Sequence, residues 1–500
     1  MPINRKTAAP LITIPLKSSG VPIYRQLYET LRRAILSGQL AAKSQMPSTR
    51  ALAAQLALSR MTVVNAYEQL LAEGYIEGIS GSGTYVASVL PEELLEIKGK
   101  KRLRQHNAAA KPATPLSKRG ELLASFNLAN LRARTDKKFS AFHYGLPAMD
   151  AFPFDVWARL TSRRLQKMSV SLFGSGNPTG FAPLRQAVAA YVQTARAVRC
   201  APEQVIVVAG AQQALALIAQ VLIDEKDVVW MENPCYFGAR NAFAAAGAKI
   251  VSVPIDAEGF NLQFALRENK NARLVCVTPS HQFPLGTVMS LARRLALIEW
   301  ARANNAWIIE DDYDSEFRYA GRPLASLQGL DEMERVIYVG TFSKTIFPAL
   351  RLGFMVVPEN LIDVFAAARA LMDSHSPSID QAVLTDFIEE GHFARHIRRM
   401  RFLYADRQDA LVDAAKRNLR GLLEVKADEA GMHLIGWLTE GVNDKTASEK
   451  AAEQGIEAVP LSAYSLEPLP RGGLILGYTA FSAGQIKNGV KRLAKALTAV

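Results

Sequence analysis

Two segments of this chain carry side chains whose types and spacing suit one chemistry. Lys344 lies in Val339-Gly340-Thr341-Phe342-Ser343-Lys344-Thr345, and upstream of it Ile308-Ile309-Glu310-Asp311-Asp312-Tyr313-Asp314 ends an apolar run in carboxylates. A lysine amine condenses with an aldehyde to a Schiff base, and a buried aspartate keeps a pyridine nitrogen protonated so that the ring can withdraw electrons. Pyridoxal 5'-phosphate needs both groups. A third segment, Gly210-Ala211-Gln212, follows an apolar run, and a strand-end glycine leading into a helix offers free backbone N–H groups to a phosphate. With the hydroxyls of Thr341 and Ser343 and the guanidinium of Arg351, it composes a phosphate cup.

These groups need a frame that brings distant segments together. From Phe142 onward strands alternate with helices: Val205–Ala209, a helix from Gln212, Val228–Met231, a helix from Phe237, Ile250–Val253, Leu274–Val277, a helix Leu291–Asn304, Trp307–Glu310 and Val336–Val339. That rhythm predicts a mainly parallel sheet with helices on both faces. Ligands of such sheets gather beyond the carboxyl ends of the strands, where all three segments fall.

A 500-residue chain is too long for one core. The net charge of +12 is uneven: residues 1–120 hold 17 Lys and Arg against 7 Asp and Glu. A polyanion partner for the N-terminal part is expected, although a solvated basic run alone accounts for about half the excess. Cys200, Cys235 and Cys276 show neither metal-ligand spacing nor a disulfide framework, so a reducing cytoplasm and no metal site are expected. The uncharged stretch Val205 to Ile223 approaches the ~20 apolar residues of a membrane span. Gly210, Gln212, Gln213 and Gln220 interrupt it, and it reads as a strand, a turn and a helix.

Near the N-terminus, Ile23, Leu27, Leu31 and Ile35 recur at helical spacing up to Gly38. Ser48 is placed to cap a short helix carrying Leu52 and Leu56, and Ser59 to cap another from Arg60 to Glu73. Two short helices across a tight turn form a helix-turn-helix whose second helix reads a groove. Ser59, Arg60, Met61 and Thr62, at the N-terminal end of that second helix, stand where base and phosphate contacts belong. Tyr75-Ile76-Glu77 and Thr84-Tyr85-Val86 flank the glycine-rich Gly78–Gly83, which predicts a hairpin wing. Periodicity alone also fits a generic three-helix bundle with solvated arginines. Between head and frame, the basic run Lys98–Arg104 and the Ala/Pro stretch Asn107–Pro115 predict an extended tether from Pro91 to about Arg119.

Several motifs in order carry a family resemblance. Gln45–Ala53, Leu58–Val63, Glu73–Ile76 and Gly81–Val86 resemble the winged-helix head of GntR-type bacterial regulators, in which Arg50, Ser59, Arg60 and Thr62 match DNA-contact positions. Phe142–Phe152, Glu232–Tyr236, Thr278–Pro284 and the Asp311 and Lys344 segments resemble a fold-type-I aminotransferase, in the form fused behind a GntR head in MocR-type regulators. The resemblance implies a winged head at 20–88, a basic Pro/Ala linker at 89–140 and an aminotransferase-like domain at 141–500, with a large part at about 170–390 and a small part at 391–500. It implies that Lys344 holds pyridoxal 5'-phosphate, Asp311 rather than Asp312 pairs with the ring nitrogen, Tyr313 bonds the ring hydroxyl and Tyr236 stacks on the ring. Ser343, Arg351 and the backbone of Ala211 and Gln212 would hold the phosphate. Double-stranded operator DNA, a small-molecule effector (the cofactor itself, an amine or an amino acid) and a second copy of the chain are the implied partners.

Two departures bear on function. Asn177-Pro178-Thr179-Gly180 imitates an aminotransferase signature but precedes the phosphate-loop strand, and its true counterpart, His281–Gly286, lacks the usual asparagine. The C-terminal strand Leu474–Ala480 lacks the arginine that grips a substrate carboxylate, with Arg471 the nearest substitute. A regulator that uses its cofactor domain for sensing is therefore expected. The alternative is a working aminotransferase with an N-terminal extension.

Overall fold

A computed structural model describes residues 21–90, 115–126, 141–167, 170–321 and 324–499. The chain divides into two compact units, Met1–Ala113 and Thr114–Val500.

In the first unit, α1 (Ile23–Leu36) turns Leu27, Leu31 and Ile35 inward and stops before Gly38, whose φ of +76° suits glycine. α2 (Thr49–Leu56) is capped by Ser48, whose Oγ accepts from Ala51 N at 3.1 Å. α3 (Arg60–Ala72) is capped in the same way by Ser59, which accepts from Thr62 N at 3.1 Å. Each such cap stabilises its helix by about 1 kcal/mol. Leu27, Leu31, Leu52, Val63, Ala66 and Leu70 form the core between the three helices. β1 (Ile76–Ile79) pairs antiparallel with β2 (Gly83–Val86), Ile76 opposite Val86, through a turn at Gly81. The wing is tied to the segment before α2 by Met46 N donating to Thr84 O (2.8 Å) and Val86 N to Ser44 O (2.9 Å).

The expected tether lies mostly outside the described residues, with the basic run Lys98–Arg104 among those not described. Its C-terminal part is corrected. Ser117 Oγ accepts from Gly120 N at 3.0 Å and starts a helix, α4 (Lys118–Ser125), so Lys118 and Arg119 are helical and belong to the second unit.

The second unit is built on an eight-stranded sheet of β3 (Val205–Val208), β4 (Val228–Asn233), β5 (Lys249–Asp256), β6 (Gly259–Phe260), β7 (Ala272–Val277), β8 (Trp307–Asp312), β9 (Val336–Thr341) and β10 (Gly353–Val356), in spatial order β3-β10-β9-β8-β7-β4-β5-β6. The centre is parallel, from β9 through β8, β7 and β4 to β5. Two strands escaped the sequence pattern. β10 runs antiparallel between β3 and β9, and β6 antiparallel at the edge. Helices on both faces bury the strands from two sides, so their sequences are continuous apolar runs rather than alternations. Val205 and Val207 enter one core while Ile206 and Val208 enter another on the opposite face. α5 (Ala211–Leu222) and α6 (Phe237–Ala245) follow β3 and β4. Among the described residues no helix is long and apolar enough to cross a membrane; the suspect stretch Val205 to Ile223 is β3, a turn and α5.

The C-terminal part is a four-stranded antiparallel sheet, β11 (Leu423–Val425), β12 (His433–Leu438), β13 (Val459–Pro460) and β14 (Gly473–Gly477), in order β11-β12-β14-β13. The helices His392–Asn418 and Ala483–Leu497 pack on it, contributing Met400, Leu411, Ile486 and Val490 to a shared core.

Candidate functional site

The strand order converts sequence distance into proximity. β8 and β9 are neighbours, with Asp311 opposite Val339 and Asp312 opposite Gly340, so the carboxylates and the Lys344 turn leave the sheet together. β10 brings β3 to the same place: Gly353 faces both Thr341 and Val208. A Cβ on Gly353 would lie 2.9 Å from Gly210 Cα, so only glycine allows the β3 turn this close to β9.

Asp311 and Asp312 are both buried but differ in what they touch. Asp312 accepts from Arg196 Nε (2.8 Å) and from the Tyr338 hydroxyl (2.5 Å), while Arg196 is held in turn by Leu324 O (2.8 Å) and Ser280 Oγ (2.6 Å). Asp312 is thus tied through Oδ2 into the protein's own network. Asp311 Oδ1 is sealed from solvent with no hydrogen-bond partner among the described residues. Burial, and then the neighbouring Asp312 and Asp314, push the Asp311 carboxyl up to about 7, against the pull of Lys344. A buried acceptor left in this state is costly unless something donates to it.

Lys344 Nζ donates to Gly145 O at 2.9 Å. The φ of +76° at Gly145 favours glycine, and a Cβ there would stand 2.6 Å from that nitrogen and displace the end of the lysine side chain. Gly145 belongs to Phe142–Phe152, quoted above for its family likeness but with no role attached.

Tyr313 meets a residue the sequence did not mark. Its hydroxyl lies 2.9 Å from His281 Nδ1, which also faces Asp314 Oδ2 at 3.2 Å, and His281 Nε2 lies 3.7 Å from Asp428 Oδ2. Burial pushes the His281 imidazole down, but Asp314 and Asp428 outweigh it and raise it to about 10. The charged ring donates from Nδ1. Burial holds the Tyr313 hydroxyl protonated well above its ordinary range, so its proton is free to be donated elsewhere. Asp428 lies far along the chain from His281, in the loop before β12, which explains why no local pattern revealed the pair.

Of the groups expected to hold a phosphate, Arg351 and the start of α5 lie together. Gly210 (φ +97°) precedes α5 without a side chain to cap it, leaving the Ala211 and Gln212 end of the helix as backbone donors. The Arg351 guanidinium donates to Ala209 O at 2.5 Å and lies 3.5 Å from where a Cβ on Gly210 would be. Ser343 N donates to Thr341 Oγ1 at 3.2 Å, closing the turn that carries Lys344. Tyr236, at the start of α6, donates to Gln212 Oε1 at 3.1 Å, and its ring stands edge-on to Phe283 with centroids 6.2 Å apart.

Arg471 is not a substitute carboxylate clamp. It donates to Leu438 O (2.6 Å) and Glu424 Oε2 (3.1 Å), at the start of β14. The other end of that strand, Gly477, lies against Phe142, its N donating to Phe142 O at 2.9 Å. Asn177 is likewise structural: its Oδ1 accepts from Thr179 N (2.8 Å) and Thr179 Oγ1 (2.7 Å) in a turn laid against β3.

In the first unit, Arg50, Ser59 and Arg60 are exposed and Thr62 is half-buried, grouped at the starts of α2 and α3. The Ser59 and Thr62 hydroxyls bond each other at 2.8 Å. Met61 beside them is 64% exposed, an apolar side chain with no core to enter.

Comparison with known proteins reads the same two units. Residues 23–86 match the family of bacterial regulatory proteins of the gntR type, and residues 143–493 match aminotransferase class I and II. The chain is 43% identical to the probable rhizopine catabolism regulatory protein MocR of Rhizobium meliloti, over 97% of this chain and 95% of that one. It is 30% identical to the pyridoxine biosynthesis transcriptional regulator PdxR of Corynebacterium glutamicum, over 94% of each. Among solved structures, the multiple substrate aminotransferase of Thermococcus profundus superposes with a TM-score of 0.70 at 28% identity, covering 77% of this chain and 97% of that one.

Proposed function

Since the chain belongs to the MocR-type regulators of the gntR family, DNA-binding transcription factors with an aminotransferase-like domain, we propose that its second unit binds pyridoxal 5'-phosphate at Lys344 and that this binding adjusts its affinity for operator DNA. The unpartnered Asp311 Oδ1 carries the reading. A protonated pyridine nitrogen is the donor that this buried acceptor lacks, and it would hold the carboxyl ionised. Bound, the cofactor supplies an aldehyde that reacts with amines and a ring that accepts electrons. Lys344 would hold the aldehyde carbon, Tyr313 would donate to the ring hydroxyl with His281 fixing its orientation, and Tyr236 would cover the ring. Ser343, Arg351 and the N–H groups of Ala211 and Gln212 would take the phosphate.

On the DNA side, Arg50, Ser59, Arg60 and Thr62 would make the groove and phosphate contacts, as a homodimer reading two half-sites. Occupancy at Lys344 regulates only by favouring one of two arrangements of the dimer, so its effect equals the difference between its affinities for the two. Steady transamination is disfavoured by the C-terminal strand, which lacks a carboxylate-binding arginine, and by the engagement of Arg471 elsewhere.

The test joins two measurements on the full chain. Borohydride reduction, digestion and mass spectrometry should find the pyridoxyl adduct on Lys344 and lose it completely in Lys344→Ala. Gel-shift titration of operator DNA with and without pyridoxal 5'-phosphate should give different affinities for the wild type and equal ones for the variant. An adduct elsewhere, or no change in DNA affinity, overturns the corresponding half of the reading.

A further inference from the structure

Beside the polar groups of the cofactor site stands an aromatic and aliphatic cluster that shares Tyr236 and Tyr313 with it. Phe283 is buried among Tyr464, Tyr313, Tyr144 and Tyr236, with ring centroids at 5.2, 5.7, 6.0 and 6.2 Å. It stands in the segment where aminotransferases carry their asparagine. Ile475, fully buried in the same cluster, lies on the C-terminal strand that lacks the carboxylate arginine, paired with Ile435 of β12 and Val459 of β13. The Tyr144 and Tyr464 hydroxyls bond each other across this wall.

The two histidines beside this cluster, His281 and His433, are already committed. His281 sits between Asp314 and Asp428, so its positive charge is compensated. His433, whose ring centroid is 5.6 Å from that of Phe283, gives its Nε2 proton to Pro284 O at 2.9 Å. Burial, and then His281, hold its imidazole down at about 4, so it brings no cation. A carboxylate set against Phe283 and Ile475 would lose its hydration without gaining a cation from either histidine, a cost of several kcal/mol.

We infer that the effector recognised at this site is a primary amine with an aromatic or apolar body and no carboxylate. The inference rests on the cofactor reading above, since the aldehyde held by Lys344 makes amines the reacting class. The exchange balances: the incoming nitrogen bonds the carbon that Lys344 Nζ held, Nζ departs, and the two amine protons pass to Nζ, so nothing is oxidised or reduced. Phe283 and Ile475 act as specificity determinants through the wall they form.

Cofactor-loaded full-length protein is titrated with 2-phenylethylamine and with phenylalanine, which differ by the carboxylate alone, following cofactor absorbance and, independently, heat. The amine should bind at least about tenfold more tightly. Equal or tighter binding of phenylalanine, or binding of neither, overturns the proposal while the Lys344 adduct still stands. Absence of the adduct instead overturns the reading beneath it. Ile475→Arg and, separately, Phe283→Asn should each raise phenylalanine affinity by about tenfold at unchanged cofactor affinity. A preference for the amine that persists undiminished in both variants removes the assignment to these two residues.

Discussion

The two units expose their functional groups to opposite degrees. Arg50, Ser59 and Arg60 of the head stand in solvent above a core that they do not enter, whereas Asp311, His281 and Asp314 of the large unit are buried and lean on one another. The head can change its contact arginines without disturbing its fold, because a charged side chain in water leaves no orphan when removed. The large unit cannot, because each buried charge there is a neighbour's partner or a neighbour's cost. Function and stability should thus be separable in the head and inseparable in the cofactor site.

The largest effect is expected at His281. Its pKa in the folded chain, about 10, lies above the ordinary 6.5, so the ring stabilises the fold fully below about pH 6.5 and loses that contribution as pH climbs through 10. His281→Ala leaves Asp314 and Asp428 without their shared cation and should cost about 3–5 kcal/mol at pH 6. Urea unfolding of both proteins from pH 6 to 10 reads the difference, which should shrink steadily. A constant gap across that range would make the loss one of packing alone.

Next comes Asp311, where function and stability should move in opposite directions. Its folded pKa is raised from 3.8 to about 7. Between those values the folded chain binds the extra proton, so without cofactor this group costs stability as pH rises from 4 to 7. Asp311→Asn should therefore make the cofactor-free protein more stable at pH 7 by a few kcal/mol. The same change should weaken cofactor binding by about 10–100-fold, the worth of a charge-assisted bond of roughly 1.5–3 kcal/mol. Thermal melts of the cofactor-free chain and equilibrium dialysis check the two signs separately.

How much of this was legible beforehand follows the same division. In the head, Ser48, Ser59, Gly38 and the glycines of the wing act on residues within one turn of themselves, so sequence order shows them directly. In the large unit, the strands with Lys344 and Asp311 at their ends are local apolar runs and were readable. β10 was not, because the four residues Gly353–Val356 carry no local sign of direction, which is set by the strands on either side. α4 was masked by the basic and proline-bearing residues just before it. His281 is held charged by Asp314 and Asp428 together, and the aromatic wall is assembled from residues between Tyr144 and Ile475, so neither exists until the chain has folded.

A smaller effect belongs to Arg60. Arg60→Ala should weaken operator binding by about 1–3 kcal/mol if it reads a base edge, or lower the salt dependence by about one unit of slope if it meets a phosphate. Unfolding of the full chain should be unchanged in either case. Fluorescence anisotropy at several salt concentrations separates the two roles. A loss of stability equal to the loss of DNA affinity would break the proposed independence of the head's contact residues from its core.

The smallest effect tests that independence where it is weakest. Ser59 is exposed and placed toward DNA, yet its Oγ also caps α3 by accepting from Thr62 N. Ser59→Ala removes both roles and should cost about 1 kcal/mol in helix stability, read as faster hydrogen exchange in the first turn of α3 within the full chain. Ser59→Asp keeps an acceptor for Thr62 N and suits the positive end of the helix, but sets a negative charge against phosphate. Slow exchange with weakened DNA binding in Ser59→Asp, against fast exchange in Ser59→Ala, would show the cap and the contact to be two functions of one oxygen. If Ser59→Asp instead binds DNA as the wild type does, Ser59 faces no phosphate and serves α3 alone.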